Sequence, residues 1–501
     1  MEPTIELNKN HLVATLGKPS AHFTKSDIIS YVKSQEIEMI NFMYPAGDGR
    51  LKTLNFVIND LAYLDTILSQ GERVDGSSLF DHIEPGNSDL YVIPRFATAF
   101  RDPFADRPTV SMLCAFFDKD GNRLSNSPDY TLKKACEAFR RVTGLNFEAM
   151  GELEYYVIKP TEEIFPACDQ KGYHESAPFI KTGDFRTRCM AYIAATGGRI
   201  KYGHSEVGNF TLNGLTYEQN EIEFLPVAAT SAADQLALAK WAIRNLAMRE
   251  GLNVTFAPKI TAGKAGSGLH IHMRFTDDSG RNLMTATDGN LSEDALKGIA
   301  GMMDMARSIT SFGNTNPTSY FRLVPHQEAP TNICWGDRNR SVLVRVPLGW
   351  SAKTDMCAAV NPGSEASEGS GDGRQTVEIR SADGSADVYY LLAALAVACR
   401  HGWEMTDALG KAESTYVDID IHKPENAARL SSLDHLPASC AESAEALALQ
   451  REIYEKYNVF EQRYIGALIH RLKAYDDTGL HAKAKASPEL MLQLVETYFH
   501  V

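Results

Sequence analysis

The chain lacks the sequence features of several large protein classes. Its 501 residues contain no CxxC pair, and its formal net charge at pH 7 is -14. Phosphate backbones and anionic membranes attract clustered Lys and Arg, so this acidic surplus argues against nucleic acid and against a membrane surface as partners. Residues 1–20 hold no apolar run of secretory length, which predicts that the protein is not exported.

The chain has few cysteines, and their spacing shows no disulfide or metal-binding motif. The eight cysteines lie far apart, in runs such as 111–114 that are typical of a core, which predicts reduced thiols in a cytoplasmic protein. They are Cys114, Cys136, Cys168, Cys189, Cys334, Cys357, Cys399 and Cys440. The most apolar stretch, residues 389–399, is too short to cross a bilayer and is followed by Arg400 and His401. It predicts a buried helix.

The length of the chain predicts two domains, because 501 residues exceed what one hydrophobic core usually organises. We place the boundary near Asn126. Before it, the patterns predict a helix over 26–35, a hairpin of 39–43 and 51–58, and a strand over 110–117. After it, Pro128 opens a helix, and further elements alternate irregularly, which is typical of an α+β domain. These are strands over 152–158, 221–225, 269–275, 342–346 and 377–379 and a helix over 231–250.

Three short segments place polar side chains two residues apart between apolar neighbours. They are Glu152 with Glu154, His270 with His272, and Glu378 with Arg380. Because a strand sends alternate side chains to opposite faces, each pair is expected on one face, with the apolar neighbours packed behind it. One sheet would then carry carboxylates and imidazoles together.

The carboxylates in these and nearby segments predict a divalent cation site. Glutamates outnumber imidazoles when Glu152, Glu154, Glu206, Glu221 and Glu378 are pooled, and oxygen-rich sites favour Mg²⁺ or Mn²⁺ over zinc. Any one carboxylate pair taken alone is better explained by an edge strand that faces water. Small residues at 263–268 allow close approach of backbone amides to an anion, but they match neither a Walker loop nor GxGxxG. A nucleotide site must therefore be built differently.

A second cluster, in residues 316–347, is rich in arginine. It contains Arg322, Arg338, Arg340 and Arg345, together with Glu328. Guanidinium groups bind carboxylates and phosphates through paired hydrogen bonds, so this density indicates anionic ligands. Structural pairing with acidic residues is the alternative.

Several blocks taken together resemble the glutamine synthetase family over nearly the whole chain. They are Val74-Asp75-Gly76-Ser77-Ser78, Gly151-Glu152-Leu153-Glu154, residues 264–272, residues 316–325, Glu328-Ala329-Pro330, Arg338-Asn339-Arg340-Ser341 and Val377-Glu378-Ile379-Arg380. The resemblance implies an N-terminal β-grasp domain over 1–125 and a catalytic α+β domain over 126–501, whose curved antiparallel sheet lines a metal and nucleotide cleft. It also implies a ring-shaped homo-oligomer, a dodecamer or a decamer, in which the small domain completes the neighbour's site.

The resemblance also implies roles for individual residues. One Mg²⁺ or Mn²⁺ ion would be held by Glu154, Glu206 and Glu221, and the other by Glu152, His270 and Glu378. His272 would contact ATP, Arg340 and Arg345 the phosphates, and Arg322 and Arg380 the carboxylates of the amino-acid substrate. Gly266 would offer a carbonyl, and Tyr173 would lie on the ammonium side. Asp75 of the adjacent subunit would take a proton from ammonium, while Glu328 would close the site and accept the later proton.

Four departures from the family pattern bear on specificity and regulation. Ala265 stands where most members carry an asparagine that touches the substrate. The spacer between Glu206 and Glu221 is longer than in bacterial members, and a Gly/Ser-rich segment, 363–373, which we expect to be a mobile loop, precedes Glu378. Thr376 occupies an arginine position. Asp434 takes the place of an adenylylated tyrosine, so regulation by adenylylation is not expected.

The resemblance implies an ATP-dependent ligase that forms glutamine from glutamate and ammonia through a γ-glutamyl phosphate. A γ-glutamylamine ligase that uses a polyamine or another amine is the alternative, because a small change around Asp75, Tyr173 and Ala265 would reshape one pocket. A catalytically silent structural member would have lost metal ligands. All six proposed ligands and all four proposed arginines are present.

Overall fold

The computed structural model describes residues 5–324, 329–349, 354–361, 363, 373–421 and 423–501. Glu328 and most of the Gly/Ser-rich segment 363–373 lie outside the described residues. Two sheets, each with its own hydrophobic core, organise the rest of the chain.

The first sheet lies in the N-terminal part of the chain. Its strands are β1 (Met39–Pro45), β2 (Leu51–Val57), β3 (Glu72–Asp75), β4 (Asp89–Pro94), β5 (Phe100–Arg101) and β6 (Thr109–Phe117). The helices beside it are α1 (His11–Leu16), α2 (Lys25–Ser34) and α3 (Leu61–Gln70). The strand order is β2-β1-β6-β4-β3, with β5 also on β6, and the central pair β1 and β6 is parallel.

Local sequence explains the predicted elements of this domain. The turn between β1 and β2 contains Asp48 and Gly49, and Gly49 has a φ of 72°, a conformation that glycine adopts without strain. Thr24 caps α2 in a capping box with Asp27. The predicted hairpin, the predicted strand over 110–117 and the predicted first helix are therefore confirmed.

Strands β1 and β6 are buried on both faces. Ile40, Phe42 and the alternate residues of β6 pack into the core of the small domain. Met43 and Leu113, which point the other way, pack with Leu238 of the large domain. The small domain is thus seated on the large one through apolar side chains.

The second sheet has nine strands in the described ranges. They are β7 (Asn146–Pro160), β8 (Ile200–Leu212), β9 (Leu215–Phe224), β10 (Val227–Ala228), β11 (Asn253–Thr255), β12 (Leu269–Thr276), β13 (Trp335–Asp337), β14 (Val344–Val346) and β15 (Val377–Ile379). The order is β13-β14-β15-β12-β7-β9-β8, and β10 and β11 also pair with β7. All pairs are antiparallel except β13 with β14, in agreement with the predicted antiparallel sheet.

Thirteen helices accompany the second sheet in the described ranges, and the first four of them contact its strands. They are α4 (Pro128–Thr143), α5 (Gly183–Ala195), α6 (Ala229–Glu250), α7 (Glu293–Gly313), α8 (Ser319–Arg322), α9 (Met356–Val360), α10 (Val388–Glu404), α11 (Ala408–Thr415), α12 (Ala427–Leu430), α13 (Cys440–Glu455), α14 (Gln462–Lys473), α15 (Leu480–Ala486) and α16 (Pro488–Thr497). Residues 388–400 of α10 are all buried, so the predicted buried helix over 389–399 is confirmed. None of the helices in the described ranges combines the length and apolar character that crossing a membrane requires.

A polar contact joins the two domains beside their apolar interface. Arg95, which follows β4, donates two hydrogen bonds to the carboxylate of Asp234 on α6, at 2.7 and 3.0 Å. The hydroxyl of Tyr389 donates to the same carboxylate at 2.8 Å. A bidentate contact of this kind fixes orientation as well as distance.

Some sequence expectations need correction. Cys168 and Cys357 are exposed, not part of a core, because they lie in a loop and in the short surface helix α9. The strand predicted over 342–346 is only Val344–Val346, since the amides of Leu343 and Val344 both donate to the Cys334 carbonyl. The predicted α+β class is confirmed, whereas the boundary near Asn126 stays a prediction.

Candidate functional site

Polar side chains collect on the face of the second sheet that the helices leave open. The antiparallel register pairs Glu152 with His270, Glu154 with Glu221, and His272 with Glu378. Their apolar neighbours are fully or almost fully buried behind them: Leu153, Tyr155, Leu269, Ile271, Val377 and Ile379. The prediction that one sheet face carries the carboxylates and imidazoles together is confirmed.

This face lines a cavity of about 1360 Å³. Thirteen of the fifteen residues predicted for the site line it: Glu152, Glu154, Tyr173, Glu206, Glu221, Gly266, His270, His272, Arg322, Arg340, Arg345, Glu378 and Arg380. Asp75 does not line this cavity, and Glu328 lies outside the described residues. The roles assigned to these residues stay predictions.

The carboxylate of Glu152 lies between two imidazoles. Nδ1 of His270 is 2.8 Å from one of its oxygens, and Nε2 of His272 is 2.8 Å from the other. Burial alone would raise the pKa of Glu152, but the two histidines outweigh burial and hold that pKa well below its usual range. The same carboxylate raises the pKa of His272 against the opposing effect of burial. The three groups form one hydrogen-bonded unit.

Glu378 is 2% exposed and is surrounded by positive or donor groups. The guanidinium Nη1 of Arg345 lies 2.9 Å from one carboxylate oxygen, and Nε of Arg380 lies 3.1 Å from the other. His270 approaches to 3.5 Å. A carboxylate buried to this extent needs such partners, because an unpaired charge in a low dielectric is costly.

Glu206 and Glu221 have the opposite environment. Burial and then the Glu154 carboxylate raise the pKa of Glu206 to about 8. Burial and then the carboxylates of Glu152 and Glu154 raise the pKa of Glu221 well above its usual value. This part of the cavity has more negative charge than its protein neighbours balance, which is the condition that a divalent cation relieves.

The donor atoms fall into groups with the dimensions of a metal site. In the described ranges, one oxygen or nitrogen from each of Glu152, His270 and Glu378 lies within 4.8 Å of the others, and the same holds for His204, Glu206 and Glu221. The first group coincides with one predicted ligand set. Carboxylate oxygens with one imidazole nitrogen suit Mg²⁺ or Mn²⁺, so the residues present fit such an ion.

Glu154, predicted in the second ligand set, is held by the protein. It accepts hydrogen bonds from the amide of Gly268 at 2.6 Å and from the side chain of Gln219 at 3.2 Å. The same Gln219 donates to the carbonyl of Gly266 at 3.0 Å. The loop before β12 is thereby fixed to β7 and β9.

Gly268 allows this loop to pass close to two site residues. A Cβ at this position would lie 2.4 Å from the guanidinium Nη2 of Arg322 and 2.9 Å from Nε2 of His270. Only glycine permits that approach. Arg322, itself 5% exposed, donates to the carbonyl of Ser381 at 2.8 Å, which holds its guanidinium against the edge of the site.

Aromatic groups and arginine form the outer part of the cavity. Tyr173 is 46% exposed, stacks on His174 with ring centroids 4.3 Å apart, and contacts His204 edge to face. A hydrogen bond with Tyr173 raises the pKa of Arg340 above its ordinary value. The carbonyl of Arg340 accepts a hydrogen bond from Arg380. Tyr173 and Arg340 are therefore coupled on one rim of the site.

Asp75 is exposed and lies at the end of β3 in the small domain. Its carboxylate accepts hydrogen bonds from the hydroxyl of Ser78 at 2.6 Å and from the hydroxyl and amide of Ser77. These bonds, the Ser78 bond first, hold the pKa of Asp75 well below its usual range. The carboxylate is ionised, and it does not line the cavity of its own chain.

The sequence interpretation missed three polar residues of this face. His204 lies 3.5 Å from Glu221, and Glu223 pairs with Lys201 at 2.6 Å. Glu223 also joins Glu152 and His272 in a third group of possible ligands. The alternation His204-x-Glu206 and Glu221-x-Glu223 is the same signal that identified Glu152 and Glu154, and it would have indicated both residues.

The departures from the family pattern have structural counterparts. The long spacer between Glu206 and Glu221 is a β8–β9 hairpin that turns at Asn213 and Gly214, both with positive φ. Thr376 accepts or donates a hydrogen bond at 2.9 Å with Nδ1 of His272, and so positions that ring. Ala265 is 3% exposed and brings a methyl group to the cavity wall.

Comparison with known proteins agrees with these observations. Residues 36–119 match the model of the glutamine synthetase β-grasp domain, and residues 125–478 match that of the glutamine synthetase catalytic domain. A glutamine synthetase of Aquifex aeolicus (strain VF5) is 25% identical over 484 residues, which cover 91% of this chain and 96% of that protein. One of Thermus thermophilus is 28% identical over 392 residues, 76% of this chain and 80% of that protein. The expected β-grasp domain is thereby confirmed.

Solved structures share the fold. The Plasmodium falciparum glutamine synthetase superposes with a TM-score of 0.74 at 17% identity, covering 91% of this chain and 96% of that one. A structure described as a GmaS/ADP complex gives a TM-score of 0.73 at 19% identity, covering 92% of this chain and 99% of that one. The architecture is shared over almost the full length.

Proposed function

The chain belongs to the glutamine synthetase family, and from that membership we propose that it joins glutamate and ammonia into glutamine at the expense of ATP. One observation carries the proposal: a single cavity is lined by all six predicted metal ligands and by all four arginines predicted to hold the substrate or the phosphates. A silent member of the fold would have no reason to keep this set of buried charges, which lowers rather than raises stability when unoccupied by ligand.

In the first step, an oxygen of the substrate's γ-carboxylate would attack the γ-phosphorus of ATP, and ADP would leave. Arg340 and Arg345 lie on the cavity wall with guanidinium groups suited to the transferring phosphoryl group. Mg²⁺ or Mn²⁺ held by the glutamates and His270 would supply positive charge against the phosphates. The product of this step is an acyl phosphate.

In the second step, ammonia would attack the carbonyl carbon of the acyl phosphate, and inorganic phosphate would leave. An ionised carboxylate is needed to take a proton from ammonium, and Asp75 is ionised and exposed. Glu328 is proposed to accept the proton lost from the adduct. Tyr173, on the rim, is proposed to lie beside the ammonium.

Asp75 would serve the neighbouring subunit. It does not line the cavity of its own chain, although its motif belongs with the catalytic blocks. A ring of identical subunits, head to tail, would bring each Asp75 to the next cavity, because a heterologous interface closes into a ring. We therefore propose a ring-shaped homo-oligomer whose sites form between subunits. The free cysteines support the further proposal of a cytoplasmic location.

A γ-glutamylamine ligase is the second candidate. Ala265 supports it, because a methyl group on the cavity wall replaces a polar side chain and leaves more room and fewer hydrogen bonds. Such a change alters substrate preference without touching the phosphoryl-transfer groups. The two candidates share the first step and differ only in the nucleophile.

The test measures phosphate release by the purified protein with ATP, glutamate and Mg²⁺ or Mn²⁺, comparing ammonium with a panel of primary amines and with no amine, and identifies the product by mass spectrometry. Glutamine formed selectively from ammonium is the expected result. A preference for an organic amine would move the function to the second candidate. Release of phosphate with no amine and no acid, or turnover unchanged in Glu378→Ala, would overturn both.

Glu137→Ala is the matched control for Glu378→Ala. Glu137 is an exposed glutamate on α4 that pairs only with Lys133 one turn away among the described residues. Its loss removes the same charge far from the cavity. Turnover in this control should equal that of the wild type.

A further inference from the structure

A second cavity, of about 660 Å³, lies where the two domains meet. The small domain contributes residues 47–50 and 80–82. The large domain contributes Asn316, Asp387, part of helix α14 and residues 496–498, 500 and 501. Its volume is that of a site for a small molecule. In the described part of the chain it shares no lining residue with the catalytic cavity.

A buried carboxylate oxygen in this cavity has no partner. Asp387 caps α10, and its Oδ1 accepts hydrogen bonds from the amides of Tyr389 at 2.9 Å and Tyr390 at 3.2 Å. Its Oδ2 is buried and accepts no hydrogen bond from any residue that the structure describes. Burial raises the pKa of Asp387 to about 6, so the carboxylate is ionised at neutral pH. A buried anionic acceptor of this kind calls for a donor.

A buried donor lies in the same cavity and is also unpaired. Asn316 is 3% exposed, and its Oδ1 accepts hydrogen bonds from the amide and hydroxyl of Thr318 at 2.9 and 2.6 Å. Its Nδ2 is buried and has no acceptor within the described ranges. The Oδ1 contacts fix the side chain of this lining residue and leave its amide hydrogens without an acceptor.

Arg471 adds a positive charge to the cavity wall. It lies on α14, is half-buried, and forms neither an ion pair nor a hydrogen bond among the residues described here. By contrast, Arg50 on the same wall is paired with Asp48 at 3.0 Å. Arg471 is therefore available to an external carboxylate, which its planar fork fits.

Aromatic rings form the apolar part of the wall. Tyr390 and Tyr464 stack with ring centroids 4.2 Å apart, and Phe80 and Phe312 line the same cavity. An apolar group entering the cavity would lose its contact with water against these rings.

We propose that this cavity binds a small zwitterion of the amino-acid class with an apolar side chain. Its ammonium group donates to Oδ2 of Asp387, its carboxylate accepts from Arg471 and from Nδ2 of Asn316, and its side chain packs on the aromatic rings. All three unsatisfied groups then have a partner of the right kind. The ligand touches both domains, so its binding also resists their separation.

The test is calorimetric titration of the full chain with L-phenylalanine and L-leucine. Two analogues, phenethylamine and 3-phenylpropionate, each keep only one of the two charges. We expect saturable binding of at least one amino acid and at least about ten-fold weaker binding of both analogues, because each loses a charge-assisted contact. An amino acid that binds no more tightly than its analogues, or absence of binding by both amino acids, would overturn the proposal.

Variants locate the binding. Arg471→Met removes the guanidinium, and Asp387→Asn removes the charge while keeping an oxygen that caps α10. Both should weaken binding at least about ten-fold. The matched control is Arg463→Met, on the same helix but outside the cavity and paired with Glu84, which should bind as the wild type does. Equal binding by Arg471→Met and Arg463→Met would place the ligand elsewhere, for example in the catalytic cavity, and contradict the proposal.

Discussion

Arg345 and Glu378 are register partners on adjacent antiparallel strands, and the guanidinium Nη1 of the arginine lies 2.9 Å from the carboxylate. The strands fix both backbones, so the guanidinium is already held in place for the phosphate contact proposed for it. Preorganised charge of this kind costs no reorganisation during the reaction.

Arg345→Gln should lower kcat/KM for phosphate release by about 10²–10³, the usual effect of removing one preorganised donor at a transition state. The thermal unfolding temperature should change little, because Arg380 still balances Glu378. Steady-state kinetics and a thermal scan check both statements. Arg463→Gln, which loses an exposed ion pair, is the control, and equal turnover in the two variants would refute a role for Arg345.

Mixing two inactive variants should restore activity. If Asp75 serves the neighbouring cavity, random co-assembly of Asp75→Asn with Arg345→Gln forms about a quarter of the sites from intact parts, because each site draws on two subunits. We expect about that fraction of wild-type turnover after joint refolding or co-expression. A mixture as inactive as either variant alone would show that Asp75 acts within its own chain.

Glu221→Gln should separate stability from metal binding. Without metal, the variant should unfold at a higher temperature than the wild type at neutral pH. Burial and the neighbouring carboxylates raise the pKa of Glu221, so folding of the wild type must either add a proton to this carboxyl or bury its charge, and glutamine requires neither. The variant's affinity for Mn²⁺ should fall by at least about 10-fold, as for loss of a metal-site group. Thermal scans with and without Mn²⁺ measure both effects. An unchanged Mn²⁺ response would exclude Glu221 as a ligand.

Lys240 predicts a pH dependence of stability. It is 5% exposed, donates to the carbonyl of Gly384 at 2.6 Å, and burial lowers its pKa to about 7. Between pH 7 and about 10.4 the unfolded chain binds a proton at this residue that the folded protein does not. The free energy of unfolding should therefore rise with pH over that window by about 1.4 kcal/mol per unit from this residue.

Lys240→Met removes that slope. The free energy of unfolding of the variant minus that of the wild type should fall steadily from pH 7 upward, because only the wild type gains stability from Lys240. Below pH 7 this difference should stay constant. Lys133→Met, on the exposed face of α4, supplies the comparison and should show no such trend in this window. Denaturant titrations at several pH values measure it, and parallel curves for Lys240→Met and the wild type would contradict the assigned pKa.

Short-range pattern was enough to predict the face that carries the site. Glu152 and Glu154, or His270 and His272, share a face because strand alternation is a local property of the backbone. The same rule explains why the buried helix and the first hairpin were predicted correctly.

Long-range register was beyond the sequence. Whether Glu221 lies opposite Glu154 depends on how β9 aligns with β7. Where Glu206 lies relative to Glu221 depends on a bulge in β8 and on the turn at Asn213. Burial is also a tertiary property, which is why Cys168 was assigned to a core and is exposed.

The contact between Arg95 and Asp234 determines which subunit would lose activity when Arg95 is substituted. It sets the angle of the small domain on its own large domain, while the proposed role of Asp75 lies in the next subunit. A fault at Arg95 would therefore leave its own subunit's cavity intact and impair a different molecule. In the proposed ring, each cavity depends on Asp75 of one neighbouring subunit. A substitution at Arg95 would therefore lower the activity of the neighbour's site and not that of its own subunit.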